Sequence, residues 1–176
     1  MSAGDSERRI FIHPGTNASL KLWTPDGWAA VTRWLLERGC QVAFTGTPAE
    51  APLIEAIRAG IDPARRALAP SLAGATTVGQ VGALFAGGLV LGVDSGPLHI
   101  ATAVGARTLR LYGPSDETIW GPWGPAARNL VVRAAGTRPG HFLDPARQSL
   151  EGGPEMLAIR PAQVIGTLER LLAAPA

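Results

Sequence analysis

The sequence has few of the residues that build disulfides and metal centres. It contains one cysteine, Cys40, which excludes an internal disulfide and a cysteine metal cluster. Its three histidines, His13, His99 and His141, are dispersed without the spacing of metal ligands. We therefore expect no metal cofactor, and we interpret Cys40 as a small core residue.

Long apolar runs and basic clusters are also lacking. The longest apolar stretch, 81–93, is interrupted by glycines and is shorter than the roughly 20 residues of a membrane span. The opening residues, MSAGDSERR, do not contain the apolar core of a signal peptide. With a net charge of +2 and no basic stripe, the sequence predicts a cytoplasmic protein with no transmembrane segment and no nucleic-acid partner.

What the sequence does contain is a regular alternation of apolar runs and helical patterns. This alternation predicts an α/β fold, a Rossmann-like, doubly wound parallel sheet with helices on both faces. The weakly patterned stretch 61–74 is expected to add a short strand near Leu68. The predicted strands are 9–13, 41–45, 89–93, 108–112 and 129–133, and the helices between them start near Pro25, Pro48, Thr77 and Gly96.

The 176 residues are enough for one domain with a sizeable core. Within this single domain, 1–176, we place the alternating core at 8–133. An irregular part is expected at 134–160, because it has several Gly and Pro residues and no periodicity. A closing helix is predicted at 161–173.

One strand–helix–strand unit, 89–114, contains the most informative turn. The strand ends at Asp94, Ser95 occupies the expected N-cap position, and Gly96 opens a helix that carries His99. Such a turn lies at the carboxyl edge of a parallel sheet, where free N–H groups and the helix dipole suit a phosphate. We therefore expect His13, Gly46, Asp94 and Gly113, each at the end of a strand, to line one crevice.

Three segments together carry a family resemblance. They are 13–23 (HPGTNASLKLW), 94–99 (DSGPLH), and 111–116 (LYGPSD) with 120–124 (WGPWG). Over 8–133 and again in the last helix, the chain resembles the C-terminal half of glycosyltransferase family 9, the lipopolysaccharide heptosyltransferases. The resemblance implies the C-terminal domain of a GT-B fold and a nucleotide-sugar donor such as ADP-heptose.

The resemblance also implies which residues bind the donor. Glu50 would meet the ribose, Asp94 would bind sugar hydroxyls and His99 would complete the sugar–phosphate site. The other implied positions contact phosphate. The donor diphosphate would be held by Thr16, Asn17 and Lys21, and the backbone of Ser95 and Gly96 would also contact phosphate. Lys21, the single lysine among 16 basic residues, would stabilise the charge that builds on the leaving group without a metal.

Each of these residues also has a purely structural interpretation. Asp94 would cap the helix that follows it, and Glu50 in a first helical turn would favour the helix dipole. Lys21 is also consistent with an exposed lysine that has no role. His99 is consistent with a satisfied core histidine, and His13 is expected to shape the neighbouring loop by hydrogen bonding. Trp120 and Trp123 either wall a sugar or acceptor site or pack their loop down.

The resemblance covers only one half of the family's architecture. In the family, an N-terminal domain supplies most of the acceptor site and the catalytic carboxylate, so the base is not expected in this chain. The resemblance therefore implies a donor domain that reaches a lipopolysaccharide-type acceptor only with that missing domain. Alone, the chain is expected to be inactive and to self-associate through its cleft face. Peripheral attachment at the inner membrane, and a catalytically silent nucleotide-binding or assembly module, stay open as alternatives.

Overall fold

The protein is described here by a computed structural model that covers residues 9–134 and 152–173. Five parallel strands form one sheet in these residues, in the order β2-β1-β3-β4-β5. The order confirms the predicted doubly wound α/β sheet, with β3 at its centre and β1 between β2 and β3. The strands are β1 (Arg9–His13), β2 (Gln41–Phe44), β3 (Leu89–Val93), β4 (Arg107–Tyr112) and β5 (Asn129–Arg133).

Helices connect the strands and cover the sheet. Two 3₁₀ turns, Ser19–Lys21 and Pro48–Glu50, lie in the loops that follow β1 and β2. None of the helices described combines the length and the apolar character needed to span a bilayer. The helices are α1 (Pro25–Glu37), α2 (Ala51–Ala59), α3 (Pro63–Arg66), α4 (Val78–Phe85), α5 (Gly96–Ala103), α6 (Glu117–Trp120), α7 (Pro154–Leu157) and α8 (Pro161–Ala173).

Local signals explain where the first long helix begins and ends. The Thr24 side chain accepts a hydrogen bond from the backbone N–H of Gly27 at 3.1 Å, and Pro25 occupies the first turn. The chain leaves the helix at Gly39, whose φ of 73° suits glycine because it has no Cβ. Local sequence signals are therefore sufficient to explain where α1 begins and ends along the chain.

Successive strand residues pack into two separate apolar layers. Ile10 and Ile12 of β1 lie in the larger core, together with Trp28 of α1 and residues of α2 and α8. Phe11 points to the opposite face, where it packs against Phe85 of α4 with ring centroids 5.5 Å apart. Because alternate residues of a strand face opposite sides, this arrangement requires helices on both faces of the sheet.

The structure differs from the sequence prediction between β2 and α4. Leu68 does not belong to a strand: it is 59% exposed, and the preceding residues form the helical turn α3. Asp62 caps this turn by accepting a hydrogen bond from the N–H of Ala64 at 2.9 Å. A single parallel bridge, between Phe44 and Ser71, is the strand-like pairing that this stretch makes.

Two further stretches contain more helix than their composition predicts. The Gly-, Pro- and Trp-rich loop after β4 includes the helical turn α6, which Asp116 caps through the N–H of Thr118 at 2.8 Å. In the range expected to be irregular, α7 forms a turn over Pro154–Leu157, while 135–151 lie outside the described residues. Short capped turns of this kind have too few residues to show a hydrophobic period.

Candidate functional site

The carboxyl ends of β1, β2 and β3 meet at a crevice of about 480 Å³. His13, Gly46, Asp94 and Gly113 all follow or end parallel strands at this edge, as predicted. Of these four residues, only His13 lines the crevice, so the expectation that all four line it is wrong. Gly113 is covered by α7: an added Cβ would lie 2.6 Å from the sulfur of Met156. The wall of the crevice therefore comes from the first three strands and the loops after them. It comprises His13, Gly15, Thr16, Asn17, Ala18, Lys21, Thr47, Glu50, Ser95, Gly96 and Pro97.

An ion pair joins Lys21, which lines the crevice, to Asp94 at the end of β3. The Lys21 Nζ donates to Asp94 Oδ2 at 3.0 Å, across 73 residues of sequence. The two side chains are only 14% and 6% exposed, so little solvent screens their attraction. Asp94 thus holds a cation at the crevice through its hydrogen bond to Lys21.

The start of α5 faces the same crevice. Ser95 is the N-cap residue, with extended backbone angles of φ −152° and ψ 161°, but its hydroxyl makes no capping hydrogen bond. Its Oγ is buried and has no hydrogen-bond partner among the described residues. An added Cβ at Gly96 would meet nothing within 4 Å, so the space beside the first helical residue is open. An anion here would find the unpaired hydroxyl of Ser95 and the positive end of the helix dipole, while Pro97 has no N–H and the N–H of Leu98 donates to the carbonyl oxygen of Ser95 at 3.1 Å.

His99 projects from the first turns of α5 and completes the group. Its Nε2 lies 3.7 Å from Asp94 Oδ1, and its side chain is 36% exposed. Burial lowers the pKa of His99 and the nearby Arg110 lowers it further, with Asp94 opposing both. His99 is therefore a neutral, partly accessible side chain at physiological pH and is not enclosed in the core.

His13 and Glu50 form the opposite wall. His13 Nδ1 hydrogen-bonds Thr45 Oγ1 at 3.1 Å, and Thr45 is the first residue after β2, so His13 braces the loop that follows this strand. Its Nε2 lies 3.9 Å from Glu50 Oε2. Glu50 accepts from the backbone N–H of Thr47 at 2.7 Å and from its hydroxyl at 3.0 Å, so this carboxylate does cap its helix while it lines the crevice.

The buried His13 predicts a dependence of stability on pH. Burial lowers the pKa of His13 below its ordinary value of 6.5, with Glu50 partly opposing the shift. The unfolded chain then binds protons that the folded chain does not, so the free energy of unfolding falls as the pH drops below about 6.5. Urea unfolding at a series of pH values should show this loss, and His13→Asn should make it smaller.

A matched variant separates charge from hydrogen bonding in this experiment. Thr45→Val removes the partner of His13 Nδ1 but leaves the buried imidazole in place. We expect this variant to be less stable at every pH while it keeps the acid-dependent loss. Equal pH slopes for the wild type and His13→Asn would contradict the assignment.

Thr16 and Asn17 lie in the loop between β1 and the Ser19–Lys21 turn. Thr16 Oγ1 accepts a hydrogen bond from the N–H of Ala18 at 3.4 Å, and Asn17 is exposed. Both residues line the crevice on the side of Lys21. The structure thus brings every site residue that the resemblance implies to the same edge of the sheet.

The sequence analysis missed two residues of this region. Thr47 lines the crevice, and its signal was the capping pattern Thr-x-x-Glu with Glu50. Arg110 lies fully buried in β4 behind His99, and its signal was a charged residue inside an otherwise apolar strand. Trp120 and Trp123 are 54% and 79% exposed, so they do not pack their loop down. They do not line the crevice, and a place for them at an acceptor site stays a prediction.

The described residues contain no group of three or more His, Cys, Asp or Glu side chains that could hold a metal ion. The positive groups at the crevice are instead Lys21 and the amino end of α5. These groups suit a ligand that has an anionic group and, next to it, hydroxyl groups that form hydrogen bonds.

The sequence is similar to a family of known proteins. Residues 2–140 match the sequence model of glycosyltransferase family 9 (heptosyltransferase). The chain is 32% identical to lipopolysaccharide heptosyltransferase 3 of Escherichia coli K12 over 96% of its own length and 48% of that protein. It is 29% identical to lipooligosaccharide heptosyltransferase 2 of Haemophilus influenzae over 87% of its length and 44% of that protein. The chain therefore spans about half the length of these relatives.

Solved structures share the fold. The structure of E. coli ADP-heptose lps heptosyltransferase II superposes with a TM-score of 0.80 and 24% identity, over 98% of this chain and 52% of that one. E. coli heptosyltransferase WaaC with ADP gives a TM-score of 0.73 and 21% identity, over 95% and 45%. The similarity again covers about half of each larger protein.

Proposed function

The chain belongs to glycosyltransferase family 9, and on that basis we propose that it is a donor domain that binds a nucleotide-sugar, with ADP-heptose as the expected donor. Paired with an acceptor domain, it would transfer the sugar to a lipopolysaccharide-type acceptor. Two of the similar solved structures are described as an ADP-heptose lps heptosyltransferase and as a heptosyltransferase with ADP, and for this reason we choose an adenine nucleotide.

The observation that carries this proposal is the convergence of Lys21, Ser95 and Gly96 on one crevice. A lysine ammonium, an unpaired hydroxyl and a helix amino end are three donors for phosphate oxygens. Transfer of a glycosyl group leaves a nucleoside diphosphate, whose negative charge grows as the bond breaks. Groups already aimed at that charge lower the barrier without having to reorganise.

The remaining residues suit the sugar and the ribose. Asp94 and His99 lie beside the proposed phosphate site and offer acceptors and donors for sugar hydroxyls. Glu50 stands on the opposite wall, next to His13, where its carboxylate would accept hydrogen bonds from the ribose. In this arrangement the diphosphate would lie between the two walls, with the sugar near Asp94 and the ribose near Glu50.

Titration calorimetry tests the proposal directly. The chain is titrated with ADP, UDP, GDP and adenosine, and then with ADP-heptose. We expect ADP to bind more tightly than adenosine, because the crevice presents its charged groups to phosphate, and ADP-heptose to bind at the same stoichiometry. Absence of binding by all three diphosphates would contradict the proposal, and preference for UDP or GDP would change the donor but keep the site.

A further inference from the structure

Arg110 is a buried cation that the donor site does not obviously need. Its side chain is fully buried in the middle of β4. Among the ion pairs of the described residues, none includes its guanidinium. Since a buried charge is costly unless hydrogen bonds compensate it, the contacts of Arg110 should indicate its purpose.

Besides an interaction with Tyr112 of its own strand, the guanidinium has three hydrogen-bonding contacts, and all three lie on one helix, α5. One terminal nitrogen donates to the carbonyl oxygen of Leu98 at 2.6 Å and also to the hydroxyl of Thr102. The other terminal nitrogen lies 3.4 Å from Nδ1 of His99. Leu98 and Thr102 are one helical turn apart, so the planar guanidinium is held against the same face of α5 from which His99 projects.

The guanidinium is itself braced from the next strand. Thr102 Oγ1 lies 3.3 Å from Asn129 Oδ1, which also accepts from Thr108 at 2.9 Å. Asn129 in turn donates from its amide nitrogen to the carbonyl oxygen of Pro125 at 3.1 Å. Residues from β4, β5 and α5 thus form a continuous hydrogen-bonded network that ends at His99, which favours a fixed orientation of the guanidinium.

The partner chemistry determines which nitrogen of His99 carries the proton. Arginine has only donors and stays protonated at physiological pH, although burial lowers the pKa of Arg110. His99 Nδ1 must therefore accept, and the proton of the neutral ring resides on Nε2. That nitrogen is the one that lies 3.7 Å from Asp94 Oδ1, at the crevice.

We propose that Arg110 is a positioning residue that holds His99 as a neutral imidazole with its Nε2–H directed toward Asp94 and the donor sugar–phosphate. The proposal rests on the proposed function for its ligand, but the Arg110–His99 pairing can be tested without one. In this arrangement His99 donates a hydrogen bond to a ligand oxygen and does not bring a second full charge beside Lys21. The charged groups around His99 are Asp94 after β3, Arg110 on β4 and Lys21 in its 3₁₀ turn.

Nuclear magnetic resonance of the imidazole nitrogens in the unliganded wild-type chain provides the first test. We expect His99 to be protonated at Nε2 and unprotonated at Nδ1 at neutral pH, and to titrate below the usual histidine range. The measurement needs no variant, so it does not depend on whether an altered chain folds. A wild-type His99 protonated at Nδ1 would overturn the proposal.

Variants of Arg110 provide the second test. Arg110→Met keeps an unbranched stem but removes the donors and the charge, so the pKa of His99 should rise while that of His13 stays unchanged. Arg110→Lys keeps the charge and should restore part of the low pKa. Arg107→Met is the matched control, because Arg107 is also a buried arginine of β4 but is the first residue of the strand, three positions before Arg110.

Binding of ADP-heptose to the same chains separates this proposal from the proposed function. Loss of one buried hydrogen bond to His99 should weaken binding by about 3- to 10-fold in Arg110→Met, and not in Arg107→Met. If the wild type binds no nucleotide, the proposed function fails whatever Arg110 does. If the wild type binds but His99 titrates identically in Arg110→Met, the role of Arg110 fails and the donor site stands.

Discussion

Replacing Lys21 by alanine is expected to reduce the affinity for ADP by roughly 10- to 150-fold, with little change for adenosine. The reason is that a charge-assisted hydrogen bond to phosphate contributes about 1.5–3 kcal/mol, whereas adenosine has no phosphate to contact. The Lys21 side chain is 14% exposed, so solvent screens it less than a surface lysine. Calorimetry with ADP and adenosine measures the two losses separately.

The control must account for Asp94, which loses its partner in this variant. An unpaired carboxylate 3.0 Å from the former ammonium position would repel phosphate and exaggerate the loss. The double variant Lys21→Ala with Asp94→Asn removes that repulsion, so any deficit that remains belongs to the lysine itself. Arg33→Ala also removes one positive charge, but Arg33 is an exposed residue of α1, so this variant should leave ADP binding unchanged. Equal losses for ADP and adenosine in Lys21→Ala would show that Lys21 does not contact the diphosphate.

The second large effect concerns transfer: this chain alone should produce no glycosylated acceptor above the buffer rate. Transfer requires an acceptor hydroxyl aligned with the anomeric carbon and a base to take its proton. At the crevice, the two carboxylates near the proposed donor are already engaged, Asp94 with Lys21 and Glu50 with Thr47. The chain spans about half the length of its heptosyltransferase relatives, so we propose that the base and the acceptor site belong to the other half.

The assay uses labelled ADP-heptose with a deacylated lipopolysaccharide-core acceptor. Full-length lipopolysaccharide heptosyltransferase 3 of E. coli serves as the positive control, and nucleotide binding by this chain confirms that it is folded. Product formed by this chain alone would refute the expectation and would direct the search for a base to Asp116, His141 and Asp144. Of these, Asp116 caps α6, while His141 and Asp144 lie outside the described residues. Nucleotide binding that never supports transfer, even with an added acceptor domain, would instead favour a catalytically silent module.

The sequence by itself determined the elements of this fold. β1 and β5 have the predicted limits, and α1 begins at Pro25 after its Thr24 cap. The turn Asp94-Ser95-Gly96 lies between β3 and α5 as its pattern indicates. These features are readable because strands, caps and helix starts depend on residues a few positions apart, so the causes are local in the sequence. The same locality explains the error at Leu68, where a four-residue capped turn replaced the expected strand.

Only the tertiary structure decided which of these residues meet. The strand order places β1 between β2 and β3, and this arrangement brings Lys21 to Asp94 and His13 to Thr45. No local pattern encodes a contact across 73 residues, because it depends on how the whole sheet assembles. Arg110 shows the same limit: its position in an apolar strand was visible in the sequence. Its contact with His99 exists because β4 packs beneath α5, and that packing is a property of the folded chain.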